Sequence, residues 1–187
     1  MIQACNKKLD SFTPGVHWPD NNEVHINAHG GGILSHGNSY YWFGEHKIEG
    51  KAGNKAQVGV HCYSSKDLYN WKDEGISLSV SDDSTSLIVK GSIIERPKVI
   101  YNASTKQFIM WFHHELKGMG YKAAMTGLAV SEKVTGPYEY LKSVNPNSGE
   151  WPTNYPDSMK NTDFQMDEIK QWSEEWKHAV IEGVFLQ

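Results

Sequence analysis

Residues 94–113, IERPKVIYNASTKQFIMWFH, decide how this chain folds. Lys98-Val99-Ile100-Tyr101 is a short apolar run, 102–106 a polar turn, and Phe108-Ile109-Met110-Trp111-Phe112 a second run of β-formers. Two such runs joined by a short polar turn predict a β-hairpin. Glu95 and Arg96 stand at the mouth of its first strand, followed at once by Pro97. A strand holds a side chain more rigidly than a loop does, so this pair is a candidate for ligand contact. The competing reading is a surface ion pair, which contributes little to stability.

The same pattern occurs once before. Tyr40-Tyr41-Trp42-Phe43-Gly44-Glu45 is a strand that follows a His36-Gly37-Asn38 turn, and Val58 to Tyr63 is the next strand. Tyr41 and Phe108, Ser64 and Ser131, and Trp71 and Tyr138 are each 67 residues apart. In both copies a hairpin, a loop, a strand, a Ser-led turn and an aromatic strand follow in that order. A four-stranded unit repeated in tandem predicts β-propeller blades. Upstream, Val24 to His29 alternates and predicts a strand. Gly30-Gly31-Gly32 would let the backbone pass close to another chain or a ligand. Residues 1–24 carry turn-formers and are expected to be a tether, with the blades in 25–187.

After a Pro- and Asn-rich stretch at 145–161 the period changes. Met166, Ile169, Trp172, Trp176 and Val180 recur at helical spacing, Thr162 with Gln165 forms a capping box, and Gly183 would stop the helix. The expected architecture is therefore all-β, about two blades plus a C-terminal helix. Propellers close with four to eight blades, and two leave unpaired edges. The chain is accordingly expected to be part of a longer propeller.

Composition narrows the function. The 187 residues carry a net charge of −4, which gives no support to nucleic-acid binding. Seven Trp, nine Tyr and six Phe suit both a core and the stacking of sugars. Two Cys make no disulfide framework, and Cys62 in a strand is expected to be a buried hydrophobe. Ile2 and Ala4 ahead of Cys5 resemble the tail of a lipoprotein signal, so a lipid anchor at Cys5 and an extracellular or periplasmic location are expectations. His25 and His29 would share a strand face, but no Cys or carboxylate cluster completes a zinc set. No cofactor is expected; a single structural ion in a central channel is compatible with the sequence.

INAHGGGIL with YYWFGEHK, then YSSKDLYNWKDEG, then IERPKVIYN with FIMWFH resemble glycoside hydrolase family 43, in particular its exo-β-1,3-galactanase-like branch. The resemblance runs from about Val24 to Tyr140. It implies a five-bladed propeller and hydrolysis of O-glycosidic bonds in galactose-containing plant polysaccharides, with inversion at the anomeric carbon. In such chemistry an acid protonates the leaving oxygen while water attacks the opposite face. By resemblance, Glu95 is the carboxylate that orients the sugar and raises the acid's pKa by charge repulsion. His29, Glu45, Arg96 and Tyr121 become substrate contacts. Where many relatives carry Asp-Pro as the base position, this chain has Ala28-His29-Gly30, a departure shared by the galactanase-like branch. The Arg-Asp, Leu-Phe-Val-Asp and Glu-Ala-Pro patterns that surround the general acid do not occur, and Glu182 is expected to be a helix-end residue. The chain alone is therefore expected to lack a competent acid. A non-catalytic carbohydrate-binding propeller is the alternative.

Overall fold

The computed structural model describes residues 8–146. The predicted C-terminal helix, Glu182 and Cys5 lie outside the described residues. Two four-stranded antiparallel sheets follow one another along the chain. The first holds β1 (His29–His36), β2 (Ser39–His46), β3 (Gly59–Ser65) and β4 (Trp71–Ser79). The second holds β5 (Ile93–Asn102), β6 (Gln107–Glu115), β7 (Met125–Ser131) and β8 (Glu139–Val144). Strand order in each sheet is sequence order, as in a blade.

The 67-residue offset is kept at the level of register. Leu34 pairs with Tyr41 and Tyr101 with Phe108; Trp42 pairs with Tyr63 and Ile109 with Val130; His46 pairs with Gly59 and His113 with Thr126. The hairpin read from residues 94–113 is β5–β6, closing through Asn102 and Gln107. Both innermost strands carry a bulge near their start, between His29 and Gly32 and between Glu95 and Lys98. A bulge is a common device for re-aiming side chains at a sheet rim.

One expectation is revised. No strand runs through 24–28; β1 begins at His29 and takes in the three glycines. At Gly31 and Gly32 the strand tolerates no side chain, because a neighbour passes too close. A Cβ on Gly32 would lie 2.6 Å from Cδ of Lys98, whose Nζ donates to Gly31 O at 2.9 Å. That lysine straps the inner strand of blade one to that of blade two.

Alternation along the strands sends one side of each sheet into a shared core. Phe43, Val60, Cys62 and Leu78 from blade one pack with Ile94, Met110, Phe112 and Tyr138 from blade two. Cys62 is free and buried, and burial pushes its thiol pKa well up, as expected of a small hydrophobe. The opposite face of blade one packs Tyr63 and Trp71 against Trp18, Ile26 and Ala28. From Leu9 onward the N-terminal segment is thus held against the blade. Leu9 N donates to Asn70 Oδ1 at 2.8 Å, and Trp18 Nε1 donates to Tyr69 O at 2.8 Å.

His114 sits fully buried in blade two with both ring nitrogens satisfied. Tyr140 OH donates to Ser143 Oγ, which lies 2.7 Å from His114 Nδ1, and His114 Nε2 lies 3.0 Å from Leu87 O. A carbonyl only accepts, so Nε2 carries the hydrogen and Nδ1 accepts from Ser143. The neutral ring is the form that fits. Burial lowers its pKa from 6.5 to about 4. Between those values the unfolded chain binds the extra proton, so stability is lost as pH falls through this window. The loss should approach about 1.4 kcal/mol per pH unit. Urea midpoints measured at pH 7.5, 6 and 5 should fall in that order, and His114→Gln should flatten the trend.

Candidate functional site

Because the strands are antiparallel, the start of β1, the end of β2 and the start of β3 share one rim of blade one. The start of β5, the end of β6 and the start of β7 form the matching rim of blade two. All five residues singled out from the sequence gather at or beside these rims, with the loops 47–58 and 116–124 above them.

Glu45 and Glu95 are both buried, at 7% and 8% exposure. Glu95 Oε1 accepts from Tyr121 OH at 2.7 Å, and that hydroxyl accepts from Asn54 Nδ2 at 2.6 Å. The bond to Glu95 raises the phenol's pKa, since an ionised phenol beside a carboxylate would be repelled. Glu95 Oε2 has no hydrogen-bond partner among the described residues and remains an acceptor for a ligand. Glu45 forms an ion pair with Lys47 and receives a long hydrogen bond, 3.4 Å, from Arg96 N. His29 is exposed and pairs in register with Glu45.

Glu95 and Arg96 form no ion pair with each other. Glu95 turns into the rim while Arg96 stays exposed, with φ of +52°. A non-glycine residue in the left-handed region is strained, and such strain collects where side chains must be aimed. Along this strand Glu95, Pro97 and Val99 are buried while Arg96, Lys98 and Ile100 are exposed, the alternation of a pleated strand.

Four supporting residues were not singled out from the sequence. Lys47 neutralises Glu45. Asn54 bridges to Tyr121 from the loop of blade one, and it stands 67 residues before Tyr121, so the repeat offset was the signal that could have found it. Glu115, at 1% exposure, accepts from the backbone of Ala123 and Ala124 at 2.8 and 3.0 Å and so anchors the loop carrying Tyr121. His113 lies nearly parallel to the Tyr121 ring, 17° and 5.9 Å between centroids. Its Nε2 is 3.1 Å from Glu115 Oε1 but is not aligned for a hydrogen bond. The loop 47–58 is tied down in turn by Ala56, whose N–H donates to Ser92 O and whose carbonyl accepts from Gly91 N.

Among the described residues no group of three or more His, Cys, Asp or Glu side chains could hold a metal ion. His25, four residues before His29, instead shares a contact with the Trp18 backbone. The rim therefore offers two buried carboxylates, a phenol and exposed cations. That is an acceptor-rich setting for hydroxyl groups, in which the carboxylates can take charge-assisted hydrogen bonds.

Solved structures similar to this chain include glycosidases. A family GH43 β-1,3-galactosidase bound to galactodeoxynojirimycin superposes at a TM-score of 0.69 with 47% identity, over 91% of this chain and 49% of its own. The chain belongs to glycoside hydrolase family 43. The exo-β-1,3-galactanase of Phanerochaete chrysosporium, solved with galactose, matches 71% of this family 43 chain at 39% identity and TM-score 0.64. The exo-β-1,3-galactanase of Clostridium thermocellum matches 72% at 42% identity and TM-score 0.63. The chain spans about half the length of the galactosidase and under a third of the two galactanases. No family model and no curated protein matches it.

Proposed function

We propose that this chain supplies the saccharide-holding rim of a hydrolase acting on β-1,3-linked galactan, by an inverting mechanism. The observation that carries the reading is Glu95, a buried carboxylate with one oxygen fixed by Tyr121 and the other left to accept. The similar galactanase structures hold galactose or β-1,3-galactotriose, which supports galactose as the unit recognised. Glu95 orients a sugar hydroxyl and holds negative charge beside the leaving-group acid, keeping that acid protonated until it is needed. Glu45, with Lys47 neutralising it, accepts a second hydroxyl. His29 and Arg96 flank the sugar, and Tyr121 keeps Glu95 in place. An extracellular or periplasmic setting, anchored through Cys5, suits a polymeric substrate that cannot cross a membrane.

The test is calorimetry of the 187-residue chain with galactose and β-1,3-galactobiose, alongside a galactose-release assay on β-1,3-galactan. Saturable heat with both saccharides and no galactose release is expected. Binding of neither saccharide would overturn the reading, and robust release would show that these 187 residues carry a competent acid.

A further inference from the structure

Blade one carries a second polar string, on the face turned away from blade two. Cys62 belongs to the shared core, so its neighbours His61 and Tyr63 project to the other side. His61 Nε2 lies 2.6 Å from Asp73 Oδ1 on β4. His61 Nδ1 lies 3.0 Å from His46 Nδ1 at the end of β2 and 3.2 Å from Tyr63 OH. Tyr63 OH also accepts from Asn27 N at 3.1 Å. Asn27 then clasps one residue: its Nδ2 donates to Lys47 O at 2.7 Å, and its Oδ1 accepts from Lys47 N at 2.8 Å. Lys47 is the residue whose ammonium pairs with Glu45. Hydrogen bonds, joined through the covalent frames of Asn27 and Lys47, therefore connect the outermost strand to a carboxylate of the saccharide rim.

The chemistry fixes the direction of the links at the two ends of the string. Asp73 is acceptor-only when ionised; burial opposes that ionisation, but hydrogen bonds from His61 and Gly75 outweigh it and hold the pKa down. With Nε2–H donated to Asp73, the Nε2–H tautomer keeps one lone pair on Nδ1, within reach of Tyr63 OH at 3.2 Å and of His46 Nδ1 at 3.0 Å. Burial first, and then the neighbouring His61, lower the pKa of His46 against an opposing pull from Asp73. A carboxylate, two imidazoles and a phenol are a costly way to fill a sheet face, since each must keep its partners when water is removed. Apolar residues would pack the same face without that cost, as Trp42 and Trp71 do beside it.

We propose that Asp73, His61, Tyr63 and Asn27 form a positioning relay for Lys47. The relay sets where the Lys47 ammonium sits and so which oxygen of Glu45 is left for the saccharide. Only this last step rests on the saccharide reading; the coupling from Asp73 to Lys47 stands without it.

The two parts are separated by measuring amide hydrogen exchange at Lys47 and affinity for β-1,3-galactobiose in the same proteins. Tyr63→Phe keeps the buried ring and removes the link. It should speed exchange at Lys47 about tenfold, the weight of one net hydrogen bond, and leave the ladder amides of Phe43 and Cys62 unchanged. Affinity should fall by a similar factor. Asp73→Ala should act in the same direction, and Asp73→Asn, which still accepts from Nε2–H, should restore most of the loss. Unchanged Lys47 exchange in Tyr63→Phe, or an equal loosening of Lys47, Phe43 and Cys62, would overturn the relay. Faster Lys47 exchange with undiminished affinity would overturn its role at the rim. Faster exchange in a chain that binds no saccharide would support the relay and overturn the saccharide reading instead.

Discussion

Glu95→Gln is expected to weaken binding of β-1,3-galactobiose by about 10- to 100-fold while leaving the fold intact. Glutamine keeps the shape and can still accept from Tyr121 OH, so the cross-blade contact through Asn54 survives. The negative charge is lost, and hydrogen bonds to charged groups contribute about 1.5–3 kcal/mol, which sets the size of the effect. Calorimetry at fixed pH reads it directly. The same variant should let the Tyr121 phenol titrate at lower pH, because the bond and charge that raise it come first from Glu95. A change of less than twofold in affinity would place the sugar elsewhere and leave Glu95 as a loop anchor.

Phe43→Ala should cost about 3–5 kcal/mol, a large share of the stability of about 5–15 kcal/mol typical of a domain. Its ring has no exposed surface and meets the edge of Tyr138 from the other blade at 6.0 Å and 84°. Around it lie Val60 and Leu78 from one sheet and Ile94, Met110 and Phe112 from the other. The cavity would open between the blades, where neither sheet can collapse into it alone. Both blades should therefore melt in one transition, at a lower urea midpoint and with an unchanged slope. Fluorescence and far-UV circular dichroism that separate into two transitions would show that the blades fold independently.

The fold was legible because β-structure leaves local marks. Runs of Tyr, Trp, Phe and Ile broken by polar turns gave the strands, and the 67-residue spacing gave the repeat that register later matched, from Leu34–Tyr41 to Tyr101–Phe108. The extent of the first inner strand was misjudged because glycine has no strand preference of its own. Gly31 and Gly32 lie in β1 through its pairing with β2, and they are glycine where Trp42 and Lys98 occupy the space a side chain would need. Glu45 and Glu95 were found as strand-end carboxylates within recognisable motifs. Lys47, Asn54 and Glu115 lay in or beside loops without periodicity. Asn54 acts on Tyr121, 67 residues on, where the repeat offset was the one cue, while Lys47 acts on the nearby Glu45 and Glu115 on the nearby Ala123 and Ala124 through contacts that residue type alone does not announce.

By itself, then, the sequence determined the all-β class, the tandem repeat, the family and the carboxylates at the rim, because each is written in side-chain type at short range or fixed spacing. The tertiary structure alone decided that Glu95 turns inward while Arg96 turns out, that Tyr121 and Asn54 meet across two loops, and that a chain of hydrogen bonds joins Asp73 to Lys47. Those outcomes depend on the packing of one sheet against the next and on distances between residues far apart along the chain. They come into being only when the two blades close on their common core.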